Sequence, residues 1–193
     1  MRTTASESAS GRLWMGMVVA VLVALVTIPA IQSSVSAHDH QIPQTYLKKG
    51  TMELQAGTRV AESNWVRPAG DGLCANENTS YRWRFPETSR VAAGSKLKVR
   101  IFKTQRPDYF KITAYPALDE EGTPSGEGRL LHRSLERVVR DGKTVAWDAY
   151  FEVNRPDRDY YLVGEGHWKD REGCGGVDQY ASWSFHVKTR SLS

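Results

Sequence analysis

The sequence predicts an all-β protein, an antiparallel sandwich of about eight strands, and three observations carry that prediction. Short runs alternate apolar and polar residues with a period of two, the mark of a strand with one buried and one wet face. Glycine, proline and aspartate clusters interrupt these runs roughly every 8–15 residues. The one stretch with a weak helical period, Leu130 to Val139, also alternates as a strand from Arg129 to Arg140. With 193 residues, 40% hydrophobic and 25% charged, the chain can build one substantial core, and its composition is that of a globular protein.

In order along the chain, the N-terminus comes first and is not part of the sandwich. Met1 to Arg12 is polar and carries Arg2 and Arg12; Leu13 to Val26 is an unbroken apolar run. Pro29 and the small-residue tail ending Val35-Ser36-Ala37 follow. This charged, apolar, small-residue order predicts a secretory signal peptide over residues 1–37, cleaved after Ala37. The alternative is an uncleaved single-pass membrane anchor over residues 13–31, near the minimum length for a bilayer. Either way the expected address is secreted or extracytoplasmic, at the cell envelope, with the membrane touched only through this segment if it stays attached. Residues 38–50 read as a polar leader and 51–190 as the sandwich domain.

Within that domain Tyr81, Trp83 and Phe85 oppose Arg82 and Arg84. Leu97, Val99 and Ile101 oppose Lys96, Lys98 and Arg100. Phe110, Ile112 and Ala114 oppose Tyr109, Lys111, Thr113 and Tyr115. Trp147, Ala149, Phe151 and Val153 oppose Asp148, Tyr150 and Glu152, and Trp183, Phe185 and Val187 oppose Ser184, His186 and Lys188. Gly94–Tyr115 and Gly142–Gly164 share an order of Gly, strand, Arg-Pro-Asp turn and aromatic-led strand. Shared turn chemistry accounts for this echo, with Pro107 and Pro156 at the second turn position. Asp119 to Gly128 is an acidic loop without the alternating oxygen pattern of a calcium loop. The stretch Asp157 to Val163 resembles the corner before a late strand in immunoglobulin-like domains, where a tyrosine hydroxyl bonds back to nearby backbone. That resemblance covers about 30 residues, implies an immunoglobulin-like sandwich, and puts Tyr161 in the corner role.

Two cysteines, Cys74 and Cys174, predict one disulfide in an exported chain. Both lie among glycines, so the bridge is expected to tie surface loops. A loop of that size corresponds to about 4–5 kcal/mol in the chain-entropy view.

No enzyme motif is present: there is no Gly-x-Ser-x-Gly elbow and no His-Glu-x-x-His. Glu165 and His167 share a strand face, which does not make a site. The expected function is therefore non-enzymatic binding of an envelope polymer, a glycan or another protein. The candidate contact residues are Lys96, Lys98 and Arg100 on one wet face and Tyr109, Lys111 and Tyr115 on another. Removing residues 1–37 leaves 24 basic and 21 acidic residues. So small a surplus favours anionic polymers or anionic lipid surfaces without demanding a nucleic-acid partner, and the exported address argues against one. Asn78-Thr79-Ser80 fits a glycosylation acceptor.

The alternative function is copper binding. Cleavage after Ala37 would leave His38-Asp39-His40 at a free amino terminus. There the amine, two deprotonated amides and the His40 imidazole form a square-planar set suited to copper(II). An N-terminal histidine is also similar to the start of secreted copper-binding sandwiches and lytic polysaccharide monooxygenases, in that one residue alone. Such a site would need a further histidine from among His132, His167 and His186.

Overall fold

The computed structural model describes residues 42–59, 61–70, 73–131, 134–169 and 178–191, with backbone alone at 59, 61–63, 66–70 and 73–81. The predicted signal peptide or anchor, His38, His40, His132 and Cys174 lie outside the described residues. These residues are all β and antiparallel in their main ladders, with no helix among them. No described helix is therefore long and apolar enough to cross a membrane.

The strands are β1 (Gln44–Lys49), β2 (Met52–Ala56), β3 (Thr58–Arg59), β4 (Ala61–Gly70), β5 (Leu73–Tyr81), β6 (Ser89–Ala92), β7 (Ser95–Phe102) and β8 (Tyr109–Tyr115). After them come β9 (Ala117–Leu118), β10 (Pro124–Ser125), β11 (Arg129–Leu130), β12 (Leu135–Arg140), β13 (Lys143–Val153), β14 (Asp159–Trp168) and β15 (Gln179–Arg190). A five-stranded sheet has the order β12-β13-β7-β1-β2, and an eight-stranded sheet has the path β11-β8-β14-β15-β4-β5 with β3 and β6 also on β15. Among the described strands only β6 runs parallel to its partner. Fifteen elements replace the eight or so expected. Two-residue ladders such as β3, β9, β10 and β11 are too short to leave a period in the sequence.

The alternation read from sequence places the core. Leu97, Val99, Ile101, Ala149, Phe151 and Val153 of the small sheet are buried in one cluster with Phe110, Ile112, Leu162, Trp183, Phe185 and Val187 of the large sheet. Each Val, Leu, Ile or Phe among them contributes roughly 1.5–3 kcal/mol by leaving water. One shared core is what two sheets packed face to face produce.

Four details differ from expectation. β1 falls inside the stretch read as a leader, with Thr45 and Leu47 buried. Only one of its two inward residues is apolar, so its period was faint. Residues 82–88 are not a strand; they run extended over the outer side of the large sheet, where Ser184 donates to the Arg84 carbonyl and Phe85 packs on Tyr161 at 5.2 Å. The tyrosine whose hydroxyl bonds back to nearby backbone is Tyr160 rather than Tyr161: it accepts the Arg155 amide at 3.1 Å, because even-numbered residues of β14 face inward. The acidic stretch includes β10, which folds back on β9 just before it, and Asp119 Oδ1 accepts the amides of Glu121 (3.1 Å) and Thr123 (2.7 Å).

Among the described strands the chain changes sheets between β2 and β3, β6 and β7, β7 and β8, β11 and β12, and β13 and β14. The echoed units are crossings rather than hairpins: β7 and β13 lie in the small sheet, β8 and β14 in the large one. The registers pair Val99 with Ala149 and Thr113 with Val163, each pair fifty residues apart, so the two units lie alongside each other about a local two-fold. The first crossing is at Gly57, between β2 and β3. A Cβ there would overlap Thr45 Oγ1 and meet Phe185 Cζ at 2.9 Å, so only glycine fits without movement.

Candidate binding face

The best-defined polar arrangement lies on the outer face of the small sheet, centred on Asp148. Period-two alternation sends Lys96, Lys98, Arg100 and Phe102 outward from β7, and Asp148, Tyr150 and Glu152 outward from β13. The β13–β7 register sets Arg100 opposite Asp148, Lys98 opposite Tyr150 and Lys96 opposite Glu152. On the other side of β7, β1 sets Tyr46 beside Arg100 and Lys48 beside Lys98.

Asp148 is only 2% exposed although it sits on an outward face, because long side chains fold over it. Arg100 grips it with Nε on Oδ1 and Nη2 on Oδ2, both at 2.7 Å. Lys98 Nζ donates to Oδ2 at 2.8 Å, and the Tyr150 hydroxyl reaches the same oxygen at 3.4 Å. Burial pushes the Asp148 carboxyl up, but the hydrogen bonds from Arg100 and Lys98 outweigh it and hold the group below its ordinary value. The hydrogen bond to Asp148 raises Arg100 above its own. A forked guanidinium–carboxylate pair with a third donor is geometrically fixed.

Aromatic rings flank this ionic centre. Lys98 Nζ lies 5.4 Å from the centre of the Tyr150 ring, which is 45% exposed. Phe102, 41% exposed, meets Tyr46 edge-on at 5.6 Å. From Tyr150 to Phe102 the face spans roughly 14 Å by strand geometry. Charges on it cancel. Lys48, Lys96, Lys98 and Arg100 are set beside Glu53, Glu136, Asp148 and Glu152, mostly as direct cross-strand neighbours.

The other predicted contact residues lie elsewhere. Tyr109, Lys111 and Tyr115 project from the outer face of the large sheet, so the structure does not bring them together with Lys96, Lys98 and Arg100. Tyr109 is exposed; Lys111 pairs with Glu165, which also accepts the Tyr180 hydroxyl at 3.3 Å. Glu165 and His167 do not pair with each other; His167 Nε2 is 3.6 Å from Asp178. His186 is covered rather than wet, between Thr88 and Asp159. Cys74 falls on β5, opposite Pro68, and so sits in a strand rather than the expected loop. Its side chain and Cys174 lie outside the described residues, as do His38 and His40. Among the described residues no group of three or more His, Cys, Asp or Glu could hold a metal. Asn78 lies within β5.

Sequence reasoning missed Asp148, Tyr150, Phe102 and Tyr46. Asp148 and Tyr150 were legible as outward residues, but their partners depend on the β13–β7 register. Comparison with protein-family models, curated proteins and solved structures returned no match.

Proposed function

We propose that this chain is an exported binding domain whose outer small-sheet face holds an extended, neutral glycan of the envelope or surroundings, the binding itself needing no catalysis. The single observation that supports this reading is the pairing of exposed rings with a charge-balanced, fixed polar centre. Tyr150 and Phe102 offer flat apolar surface for sugar rings, as aromatic side chains with a polar handle do at wet interfaces. Arg100 and Lys98, held in place by the covered Asp148, offer fixed donors for hydroxyl groups. A polyanion would meet the carboxylates of Glu53, Glu136 and Glu152, and two of the four cations are already neutralised by Asp148, so electrostatics favours an uncharged ligand.

Within this reading the fold is an immunoglobulin-like sandwich, supported by the Tyr160 corner, with Cys74 bridged to Cys174 and a signal cleaved after Ala37. Affinity electrophoresis through gels holding neutral or anionic polysaccharides tests the ligand class. Retardation by a neutral polymer, reduced in Tyr150→Ala, is expected. Retardation by anionic polymers alone, abolished by salt, would replace it.

A further inference from the structure

Residues 82–88 bring an exposed hydroxyl to an imidazole that a carboxylate already holds. Thr88 Oγ1 lies 2.8 Å from His186 Nδ1, and His186 Nε2 lies 3.0 Å from Asp159 Oδ1. One tautomer satisfies both contacts: with the proton on Nε2, the ring donates to Asp159 and accepts from Thr88. The three residues come from separate places, the segment before β6, the middle of β15 and the start of β14. No local turn preference accounts for their meeting.

The imidazole is held on several sides. Tyr161 stacks on it with centroids 4.5 Å apart and planes 18° from parallel. Gln55 fixes the backbone beneath it, donating to the His186 carbonyl at 2.6 Å and accepting the His186 amide at 3.0 Å. The same Gln55 amide group donates to the Glu87 carbonyl at 2.5 Å, which locks the residue before Thr88. Lys188 Nζ lies 3.4 Å from Asp159 Oδ2, leaving Oδ1 to the ring. Thr88 is exposed, while the His186 side chain is only 16% exposed. An accessible hydroxyl, a fixed base behind it and a third group orienting the base is the geometry of an activated nucleophile.

We propose that Thr88 is a nucleophile for carboxylic esters, with His186 as its general base and Asp159 as the positioning residue. Thr88 Oγ1 attacks the ester carbonyl carbon while its proton passes to His186 Nδ1. The acyl–oxygen bond to the alcohol breaks, and the alcohol leaves with that proton. Thr88 is left acylated. Water, deprotonated by His186, then attacks the acyl carbon, releases the carboxylic acid and restores the hydroxyl. Asp159 faces the imidazolium formed in each half, and no oxidant or metal takes part. The activity is independent of the glycan reading, since it lies on the other sheet.

The test is to treat the purified protein with p-nitrophenyl acetate, follow p-nitrophenolate release, and locate acetyl groups by peptide mass spectrometry. The expected result is an acetyl group on Thr88, with release slowed at least tenfold in Thr88→Val and in His186→Gln. Thr88→Ser should retain the adduct, and Asp159→Asn should slow acylation without changing the ester concentration needed for half-saturation. Acetyl groups confined to lysines and the amino terminus of the wild type would overturn the proposal. So would Thr88→Val releasing p-nitrophenolate at the wild-type rate. Should Thr88→Val fail to fold, the wild-type adduct position and the Thr88→Ser rate decide the matter.

Discussion

The outer faces of the two sheets begin from the same pattern and end in different states. On both, period-two alternation turns polar residues outward, and on both a carboxylate sits among cations and rings. On the small sheet Tyr150 and Phe102 stay 45% and 41% exposed, and the polar groups are fixed by one another around Asp148. On the large sheet residues 82–88 lie across the face, and Thr88 and Phe85 engage His186 and Tyr161. The difference teaches that alternation settles which way a side chain leaves a sheet, but not whether it then meets water. That second question depends on segments remote in sequence, here about a hundred residues from β15.

Mutations can sharpen the contrast, beginning with the largest expected effect. Asp148→Ala removes the anion that Lys98 and Arg100 share and leaves two cations half-buried, a change worth about 3 kcal/mol. A lowered urea midpoint with unchanged slope would show it. Gly57→Ala strikes neither face but the crossing between sheets, and forcing a methyl against Thr45 and Phe185 should cost about 2 kcal/mol in the same assay.

The same carboxylate predicts a pH dependence. Its folded value lies below its unfolded one, near 3.9, so its contribution is present above that unfolded value. It is lost as pH falls through the folded value. Acidification below about pH 4 should therefore lower the wild-type urea midpoint more steeply than that of Asp148→Asn.

His186→Ala should cost about 1–2 kcal/mol through two lost hydrogen bonds. It should also speed amide exchange in residues 87–89 while leaving β7 and β13 unchanged. Tyr150→Ala should leave stability within about 0.5 kcal/mol, yet weaken glycan binding about tenfold, or about 1.4 kcal/mol. Equal losses of stability and binding would remove the distinction between an open face and a covered one.

Much of the fold was legible. The inward sets Leu97-Val99-Ile101, Phe110-Ile112-Ala114 and Trp183-Phe185-Val187 were readable because alternation is a local property. β1 was hidden because its outward Tyr46 and inward Thr45 reverse the usual polarity. Residues 82–85 alternate as a strand would, but Phe85 packs on Tyr161 on the outside of a sheet and Trp83 stacks on Phe85, as a second layer. The echoed Arg-Pro-Asp units were visible, but their crossing from sheet to sheet is a matter of topology. Of the candidate face, Lys96, Lys98 and Arg100 were identified, while Asp148, Tyr150, Phe102 and Tyr46 joined them only through register. The separation of Tyr109, Lys111 and Tyr115 from that group is likewise a consequence of which sheet each strand entered.

The most direct test of the open face is to follow backbone amide shifts during titration with oligomers cut from whichever neutral polysaccharide retards the protein. The account predicts shifts concentrated in β1, β7 and β13 around Tyr46, Arg100, Phe102 and Tyr150. Shifts concentrated in β8 and β14, around Tyr109 and Tyr115, or no saturable shifts with any oligomer, would contradict it.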